Sequence, residues 1–255
     1  MARDAGSSSG GSRGAAAQAV TYAILPVKRF GAAKARLNDE LSGGTRRALA
    51  EAMVTDVLMA LRRTKAVAEV LLVTAEPAAE AIGRGYGANV LFDDRESGQS
   101  PATVIGIAHA IDAGATRVLL VPGDTPAVDP AQLEALLDRP ASGRSVVIVP
   151  DRHGTGTNAL LLTPPGAIEP AFGPGSREKH EQAAAAAGIP CTVEPVETLA
   201  LDVDTADDLD ALRTALANRR GGAAHTRGML SRLATTHRKA PARAPAKAPV
   251  EPPPE

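Results

Sequence analysis

Three aspartates at the ends of apolar segments are the residues of this chain best suited to chemistry. Asp124 ends the run "VLLVPGD", and Asp202 and Asp204 end "LALDVD". A carboxylate at the end of a buried strand is well placed to bind a hard cation, and Mg²⁺ prefers one or two carboxylates together with substrate phosphates. Residues two apart in an extended chain point to the same side. The alternatives are a turn at Asp124 and an ordinary helix start after Asp204.

Four cations follow the first predicted strand. The segment "LPVKRFGAAKARL" carries Lys28, Arg29, Lys34 and Arg36 around a single glycine. It lacks the GxGxxG and GxxxxGK[ST] spacings of the common nucleotide loops, which disfavours a P-loop or a dinucleotide site. The cations still suit a polyphosphate, because Lys binds phosphate as a point charge and Arg as a planar fork. The alternative is an exposed basic loop.

Two glycine-containing segments predict an anion site. "HGTGTNAL" offers the Thr157 hydroxyl just before an apolar strand, and "FGPGSREKH" leads through Gly173 into a helix. The free N–H groups and dipole of a helix start favour an anion, and Ser176 is the expected N-cap. A plain capped loop is the alternative. His153 and His180 also lie here, but a lone histidine is more often a surface residue.

The elements that position these residues alternate along the chain. Apolar runs predict strands at 19–27, 68–75, 88–94, 116–124, 144–151, 157–164 and within 191–204. Helical periodicity and capping residues predict helices at 44–64, 76–87, 100–114, 129–139, 176–188 and 205–218. The pattern predicts an α/β fold, a three-layer sandwich with a mostly parallel central sheet. Ligands of such sheets bind beyond the carboxyl ends of the strands, where the aspartates and the cations fall.

Composition limits the classes of protein that fit. The 255 residues are 44% hydrophobic and 22% charged, which is ordinary for one soluble domain. We predict a disordered leader at 1–18, the domain at 19–218 and a disordered, basic, Ala/Pro-rich tail at 219–255. The domain holds 18 Lys/Arg and 26 Asp/Glu, a net charge of -8. Such an acidic domain argues against nucleic-acid binding.

The apolar runs and the cysteine count bear on the cellular compartment. The chain contains no long apolar run, so we expect no membrane span. Its single cysteine, Cys191, excludes an intramolecular disulfide framework and a multi-cysteine metal site, which fits a reducing cytoplasm.

Together the motifs resemble those of the guanylyltransferases of coenzyme F-420 (deazaflavin) biosynthesis. The resemblance spans about residues 20–216. These enzymes are similar to the molybdenum-cofactor guanylyltransferases and belong to the glycosyltransferase-A-like nucleotidyltransferases, so the resemblance implies a Rossmann-like, nucleotide-diphospho-sugar transferase fold. The motifs that carry it, in chain order, are "AILPVKRFGAAKARL", "VLLVPGDTPAV", "GTGTNALLL", "FGPGSREKH" and "LDVDTADDL".

The resemblance implies transfer of GMP from GTP to the phosphate of phosphoenolpyruvate, giving enolpyruvyl-diphospho-guanosine and pyrophosphate. Carried over by motif, Thr157, Gly173 and Ser176 would bind the acceptor, and Asp124, Asp202 and Asp204 would hold Mg²⁺. Asp124 would act in catalysis with the phosphate-binding Lys28 and Lys34. The turn "ESGQSPA" resembles the one that seats guanine, although its Gln99 and Ser100 depart from the family form.

Other readings of the sequence stay open. The acceptor could be 2-phospho-L-lactate or another phosphate, as in a related nucleotidyltransferase. A catalytically silent relative that binds nucleotide is the non-enzyme alternative. Retention of the three carboxylates beside the strand-one lysines argues against that alternative. A hand-off of the product to the next transferase of the pathway is a further expectation.

Overall fold

The computed structural model describes residues 19–32, 34–138 and 143–239, and within these ranges strands and helices alternate as the sequence predicts. The strands are β1 (Thr21–Val27), β2 (Val67–Thr74), β3 (Asn89–Phe92), β4 (Arg117–Leu120), β5 (Ser145–Pro150), β6 (Thr157–Thr163) and β7 (Cys191–Val193). The helices are α1 (Gly43–Arg63), α2 (Pro77–Gly85), α3 (Gln99–Asp112), α4 (Pro130–Leu137), α5 (Ser176–Ala186), α6 (Ala206–Ala217) and α7 (Ala224–Lys239). Two 3-10 turns, Phe30–Ala32 and Ala35–Leu37, lie between β1 and α1.

The seven strands form one sheet in the order β3-β2-β1-β4-β6-β5-β7. Strands β1 to β4 pair in parallel, as do β5 and β7, whereas β6 runs antiparallel to both β4 and β5. The prediction of a mostly parallel sheet is therefore confirmed. The antiparallel strand arises because β5 and β6 are joined by a short loop that reverses the chain, and such a loop is too short for a parallel crossover.

Two apolar clusters cover the two faces of the sheet. One joins α1, α2 and α4 to the sheet, and the other joins α3 and α5 to the opposite face. The central strands β1 and β4 are buried along almost their whole length because both of their faces are covered. The switch in strand order between β1 and β4 opens a crevice at their carboxyl ends, which is the expected ligand position in this kind of sheet.

A third apolar cluster lies under the loops at this edge. It combines residues of α1, α6 and α7 with Leu37 and Val203, both fully buried. The segment predicted to be a disordered tail from 219 thus differs in the structure, since α7 lies within it. Met229, Leu230 and Leu233 recur at one- and three-residue steps and give this helix an apolar face. Residues 1–18 and 240–255, the predicted leader and the rest of the tail, lie outside the described residues.

The end of the last predicted strand also differs from the prediction. Only Cys191–Val193 of the predicted 191–204 strand material pairs with the sheet. The stretch from 194 to 204 follows the sheet edge as irregular backbone and delivers Asp202 and Asp204 to the crevice. No helix in the described ranges is long and apolar enough to cross a membrane.

Candidate functional site

Two adjoining pockets lie at the carboxyl ends of β1 and β4. The β1 pocket has a volume of about 580 Å³ and is lined by the loop after β1 and the start of α3. The α5 pocket has a volume of about 590 Å³ and is lined by the β5–β6 loop, the start of α5 and the segment before α6. Asp124, Asp204 and Gly173 line both pockets, so these residues stand where the two meet.

Lys34 connects two of the predicted carboxylates. Its Nζ lies 2.7 Å from Asp124 Oδ2 and 3.0 Å from Asp204 Oδ1, and its side chain is only 8% exposed. Burial opposes the charge of this ammonium, but the two carboxylates outweigh burial and raise the pKa of Lys34 above its ordinary value. The backbone of Lys34 has a φ of +57°, a conformation that costs energy in a non-glycine residue. The ion-paired cluster holds it in place.

The "LDVD" segment lies beside the end of β4. The backbone N–H of Val203 donates to the carbonyl oxygen of Asp124 at 3.2 Å. Asp202 Oδ1 accepts a hydrogen bond from Asn158 Nδ2 at 3.1 Å, and the same amide group donates to the Leu199 carbonyl at 2.9 Å. Burial and then the charge of Asp124 raise the pKa of Asp202. The three carboxylates therefore share one electrostatic environment.

The fit of a metal ion to this cluster can be judged from its donors. Carboxylate oxygens are the ligands that Mg²⁺ prefers. The pKa of Asp202 is raised first by burial and next by the charge of Asp124, and a bound cation would offset both effects. In the structure, the Lys34 ammonium forms ion pairs with Asp124 and Asp204, and its single positive charge offsets one of their two negative charges. Within the described ranges, no group of three His, Cys, Asp or Glu residues has the arrangement of a metal site. The chemistry of the donors fits Mg²⁺, and their assignment as its ligands stays a prediction.

The cationic loop after β1 is anchored to the end of β2. Buried Glu76 accepts a hydrogen bond from the Phe30 N–H at 3.1 Å and from Arg47 at 3.0 Å. Burial would raise the pKa of Glu76, but the bonds from the Ala78 and Phe30 N–H groups and from Arg47 outweigh it and lower the pKa. This anchor places Lys28, which is exposed, on the wall of the β1 pocket.

Arg29 makes an ion pair across the mouth of the β1 pocket. Its Nε lies 2.8 Å from Glu96 Oε2, and the hydrogen bond with Glu96 raises the pKa of the guanidinium. Glu96 has a φ of +46° and belongs to the "ESGQSPA" turn, whose Gly98 and Gln99 also line this pocket. The turn that resembles the guanine-seating turn therefore lines the same pocket as three of the four strand-one cations.

Two helices begin at the pockets without a side-chain cap. The N-caps are Gly98 for α3 and Gly175 for α5, with φ of +129° and +66°, whereas α1, α2, α4 and α6 begin with a capping side chain. The expectation that Ser176 is the N-cap is wrong, since Gly175 adopts the left-handed conformation there and Ser176 is the first helical residue. Ser176 is 1% exposed and lines the α5 pocket. Its N-terminal setting suits an anion.

Thr157 and His180 meet at the wall of the α5 pocket. Thr157 Oγ1 lies 3.0 Å from His180 Nδ1, and the Ala171 N–H donates to His180 Nε2 at 2.9 Å. The expectation of a surface histidine is wrong for His180, which is fully buried with its ring against Phe172. Burial, and next the charge of Lys179, lower the pKa of His180 to about 4, so the ring is neutral at pH 7.

A second set of side chains supports the segment before α6. Asp208 accepts hydrogen bonds from the backbone N–H groups of Asp204 and Thr205, at 3.0 and 2.8 Å, and forms an ion pair with Arg152 at 2.5 Å. Burial alone would raise the pKa of Asp208, but these contacts and the Thr205 hydroxyl lower it. Arg152 and neighbouring His153 line the α5 pocket. Thr205 and Asp208 form a capping box at the start of α6, and the additional bond from the Asp204 N–H to Asp208 fixes the backbone of Asp204.

Sequence reasoning missed several residues that hold the site together. The supporting residues include Asn158, Glu76 and Arg152. Each of them contacts partners that are distant in sequence, so no local sequence pattern predicts its role. Asn158 does carry one signal, because it is an amide inside an otherwise apolar strand, directly after Thr157. A buried amide needs hydrogen-bond partners, and this one finds them in the chain around Asp202.

Comparison with known sequences identifies relatives. The family described as "Guanylyl transferase CofC like" matches residues 21–240. A phosphoenolpyruvate guanylyltransferase of Conexibacter woesei is 56% identical over 220 residues, 86% of this chain and 99% of that protein. A 3-phospho-D-glycerate guanylyltransferase of Colwellia psychrerythraea is 34% identical over 200 residues, 75% of this chain and 90% of that protein.

Comparison with solved structures supports the fold. A nucleotide-diphospho-sugar transferase, described as putative, from Desulfovibrio desulfuricans superposes with a TM-score of 0.65 at 18% identity, covering 87% of this chain and 98% of its own. A nucleotidyl transferase from Methanothermobacter superposes with a TM-score of 0.57 at 20% identity, covering 78% and 98%. At these identities the likeness concerns the fold alone, and the predicted fold is confirmed.

Proposed function

The chain belongs to the family of CofC-like guanylyl transferases, and we propose that it transfers GMP from GTP to phosphoenolpyruvate in coenzyme F-420 biosynthesis. The observation that carries the proposal is that two pockets of similar size meet at Asp124 and Asp204. The β1 pocket carries three of the four strand-one cations and the uncapped start of α3, and the α5 pocket carries the uncapped start of α5. The 56% identity to a phosphoenolpyruvate guanylyltransferase supports this choice of acceptor.

The arrangement suits a reaction between two anions. An oxygen of the acceptor phosphate attacks the α-phosphorus of GTP, a new P–O bond forms, and the bond to the bridging oxygen breaks to release pyrophosphate. The attacking phosphate is already an anion and needs no strong base, so catalysis consists of alignment and of offsetting repulsion. Mg²⁺, when held by Asp124, Asp202 and Asp204, would supply charge neutralisation at the phosphates.

Each predicted residue has a place in this scheme. Lys28 and Lys34 border the β1 pocket, where they would bind the phosphates of GTP, and the "ESGQSPA" turn would seat the base. Thr157, Gly173 and Ser176 border the α5 pocket, where they would bind the acceptor. Both substrates are metabolites of the cytoplasm, and we place the enzyme there. A hand-off of the product to the next transferase also belongs to the proposal.

Turnover with defined acceptors tests the proposal. The full chain is incubated with GTP and Mg²⁺ and with phosphoenolpyruvate, 2-phospho-L-lactate or 3-phospho-D-glycerate, and pyrophosphate release is measured with and without the next transferase. We expect the highest kcat/KM with phosphoenolpyruvate and no pyrophosphate release without an acceptor. A higher kcat/KM with another acceptor would reassign the substrate. The 34% identity to a 3-phospho-D-glycerate guanylyltransferase makes that compound the most informative competitor.

A substitution in each pocket tests which ligand binds where. In Ser176→Ala we expect the KM for the acceptor to rise about tenfold while the KM for GTP stays within about twofold, since one hydrogen bond to an anion is lost. Ser231→Ala on the exposed face of α7 is the matched control. A selective rise in the KM for GTP would show that the two pockets are assigned the wrong way round.

A further inference from the structure

His180 and Thr157 form a buried pair whose hydrogen bonds fix the direction of a hydroxyl proton. The imidazole makes two polar contacts within the described residues: Nε2 accepts the Ala171 N–H at 2.9 Å, and Nδ1 lies 3.0 Å from Thr157 Oγ1. A ring nitrogen that accepts a backbone N–H bond carries no proton in the neutral ring. The proton of the neutral ring therefore resides on Nδ1, which donates to the threonine hydroxyl.

This direction leaves the Thr157 hydroxyl with an unused donor. Its oxygen accepts from His180, so its own hydrogen must find another acceptor. No other side-chain hydrogen bond of Thr157 exists among the described residues, and Thr157 borders the α5 pocket whereas His180 lies behind it. Without the histidine, the hydroxyl could rotate and present a lone pair to the pocket, which would repel an anion.

We propose that His180 is a positioning residue that holds the Thr157 hydroxyl as a hydrogen-bond donor to an anionic group of the acceptor. The proposal rests on the proposed function in one respect, namely that an anionic acceptor occupies the α5 pocket. The hydrogen bonds of His180 with Thr157 and Ala171 do not depend on which reaction the protein catalyses. Burial of the ring keeps it neutral at pH 7, which preserves Nε2 as the acceptor of the Ala171 bond. The same residue thus links the "FGPGS" loop to the start of β6.

Spectroscopy of the unliganded protein tests the arrangement without any turnover. Long-range ¹H–¹⁵N correlation of the full chain labelled at histidine reports which ring nitrogen carries the proton, and the His180→Asn variant identifies the His180 signal. We expect a neutral ring protonated at Nδ1 at pH 7, and Thr157→Val to shift the Nδ1 resonance. A ring protonated at Nε2 would overturn the proposal.

Two substitutions separate the two hydrogen bonds of the ring. Asn places its amide nitrogen near the position of Nδ1, so His180→Asn can still donate to Thr157 while it loses the Ala171 bond. Gln places its amide oxygen near the position of Nε2, so His180→Gln keeps the Ala171 bond and loses the donor to Thr157. If His180 merely supports the loop, His180→Asn should be the more harmful change. If His180 orients the Thr157 hydroxyl, His180→Gln should be the more harmful change.

Kinetics of these variants with GTP and phosphoenolpyruvate complete the test. We expect His180→Gln to raise the KM for the acceptor about tenfold with the KM for GTP within about twofold, and His180→Asn to raise the acceptor KM by less than about threefold. The double variant Thr157→Val/His180→Gln should be no worse than Thr157→Val, because both changes remove one interaction. His109→Gln, on α3 away from both pockets, is the control.

The results distinguish the two proposals. Additive effects of Thr157→Val and His180→Gln, or a His180→Asn variant as impaired as His180→Gln, would overturn the role of His180. An inactive wild-type chain with every acceptor would instead overturn the proposed function, and the protonation of the ring would still decide the arrangement around Thr157.

Discussion

Asp124 is the residue through which most of the site is connected. Its carboxylate bonds Lys34, its carbonyl oxygen accepts the Val203 N–H, and it stands between the two pockets. The residue before Asp124 is Gly123. A Cβ atom at Gly123 would lie 2.8 Å from Val54 Cγ2 of α1, so a glycine is needed where the backbone passes this close to α1. Asp124→Asn would remove the charge at the centre of the site while it keeps the shape of the side chain and the Gly123 backbone before it.

We predict that Asp124→Asn lowers kcat by about 100-fold or more without unfolding the protein, because it removes a charge at which the reacting phosphates and the proposed Mg²⁺ would meet. Pyrophosphate release measures turnover, and circular dichroism checks the fold. Asp112→Asn, exposed at the end of α3, is the control. Undiminished turnover in Asp124→Asn would place the reacting centre elsewhere.

At this scale the sequence predicted which side chains reach the two pockets better than it predicted which side chains support them. The positions of the three aspartates, Lys28 and Lys34 could be predicted because these residues follow apolar strand-like segments. Asn158 and His180 could not, because their roles depend on backbone groups of Leu199 and Ala171, and contacts with main-chain atoms leave no residue pattern. The expectation of a surface histidine failed for the same reason.

At the scale of elements, α1 and α7 are joined by an unusual cap. Asp56 lies in the middle of α1 and is 5% exposed, and its carboxylate accepts the N–H groups of His225 and Thr226 at the start of α7, at 3.1 and 2.7 Å. The ring of His225 adds a contact at 3.0 Å. A residue of one helix thus performs the N-cap function for another.

We predict that Asp56→Ala lowers the free energy of unfolding by about 1–2 kcal/mol, since two backbone donors lose their acceptor. Urea denaturation followed by circular dichroism measures the change, and Asp112→Ala is the matched control. A free energy of unfolding equal to that of the wild type would mean that solvent satisfies the α7 start as well as Asp56 does.

Elements with strong local patterns were predicted well, and those that depend on tertiary packing were not. The spacing of apolar residues in α1 and the capping residues of α4 and α6 specify those helices locally. The irregular course of 194–204 follows instead from Asn158 and from the Asp124 carbonyl, which replace sheet partners. Helix α7 could not be predicted locally, because its apolar residues pack on α1 and α6 and its first N–H groups are capped by Asp56 of α1.

At the scale of the whole molecule, buried ionisable groups make stability depend on pH. The folded pKa of His180 is about 4, below its ordinary value of 6.5, so the unfolded chain binds more protons between these values. Its contribution to stability is therefore complete above about pH 6.5 and is lost as the pH falls toward 4. Glu76 and Asp208, whose pKa values are lowered, act in the same direction at lower pH, from their unfolded pKa values downward.

We predict that the free energy of unfolding falls between pH 7 and pH 5 in the wild type and falls less in His180→Asn. The stability difference between the two proteins should accordingly shrink as the pH is lowered, because only the wild type loses the preference for a neutral histidine. Urea denaturation at several pH values measures both curves. Parallel curves would show that His180 does not titrate differently in the folded and unfolded states.

The third apolar cluster links α7 to the segments that carry Lys34 and Asp204. Leu37 lies at its edge and donates its N–H to the Lys34 carbonyl at 2.9 Å, and Val203 lies between Asp202 and Asp204. Helix α7 contributes Met229, Leu230 and Leu233 to this cluster, and all three are buried. Loss of the helix would therefore expose the apolar support of both the Lys34 loop and the "LDVD" segment.

Two truncations of different length test this support. A chain ending at residue 223 should lose more unfolding free energy than the about 2–5 kcal/mol that truncation of one buried Leu or Met side chain costs, because it lacks three such side chains. Its kcat should fall at a temperature where circular dichroism still shows it folded. A chain ending at residue 239 retains α7 and should match the full chain in both measurements. If the shorter chain keeps full turnover while folded, the position of Lys34 and of Asp204 does not depend on α7, and their mutual ion pairs suffice to hold them.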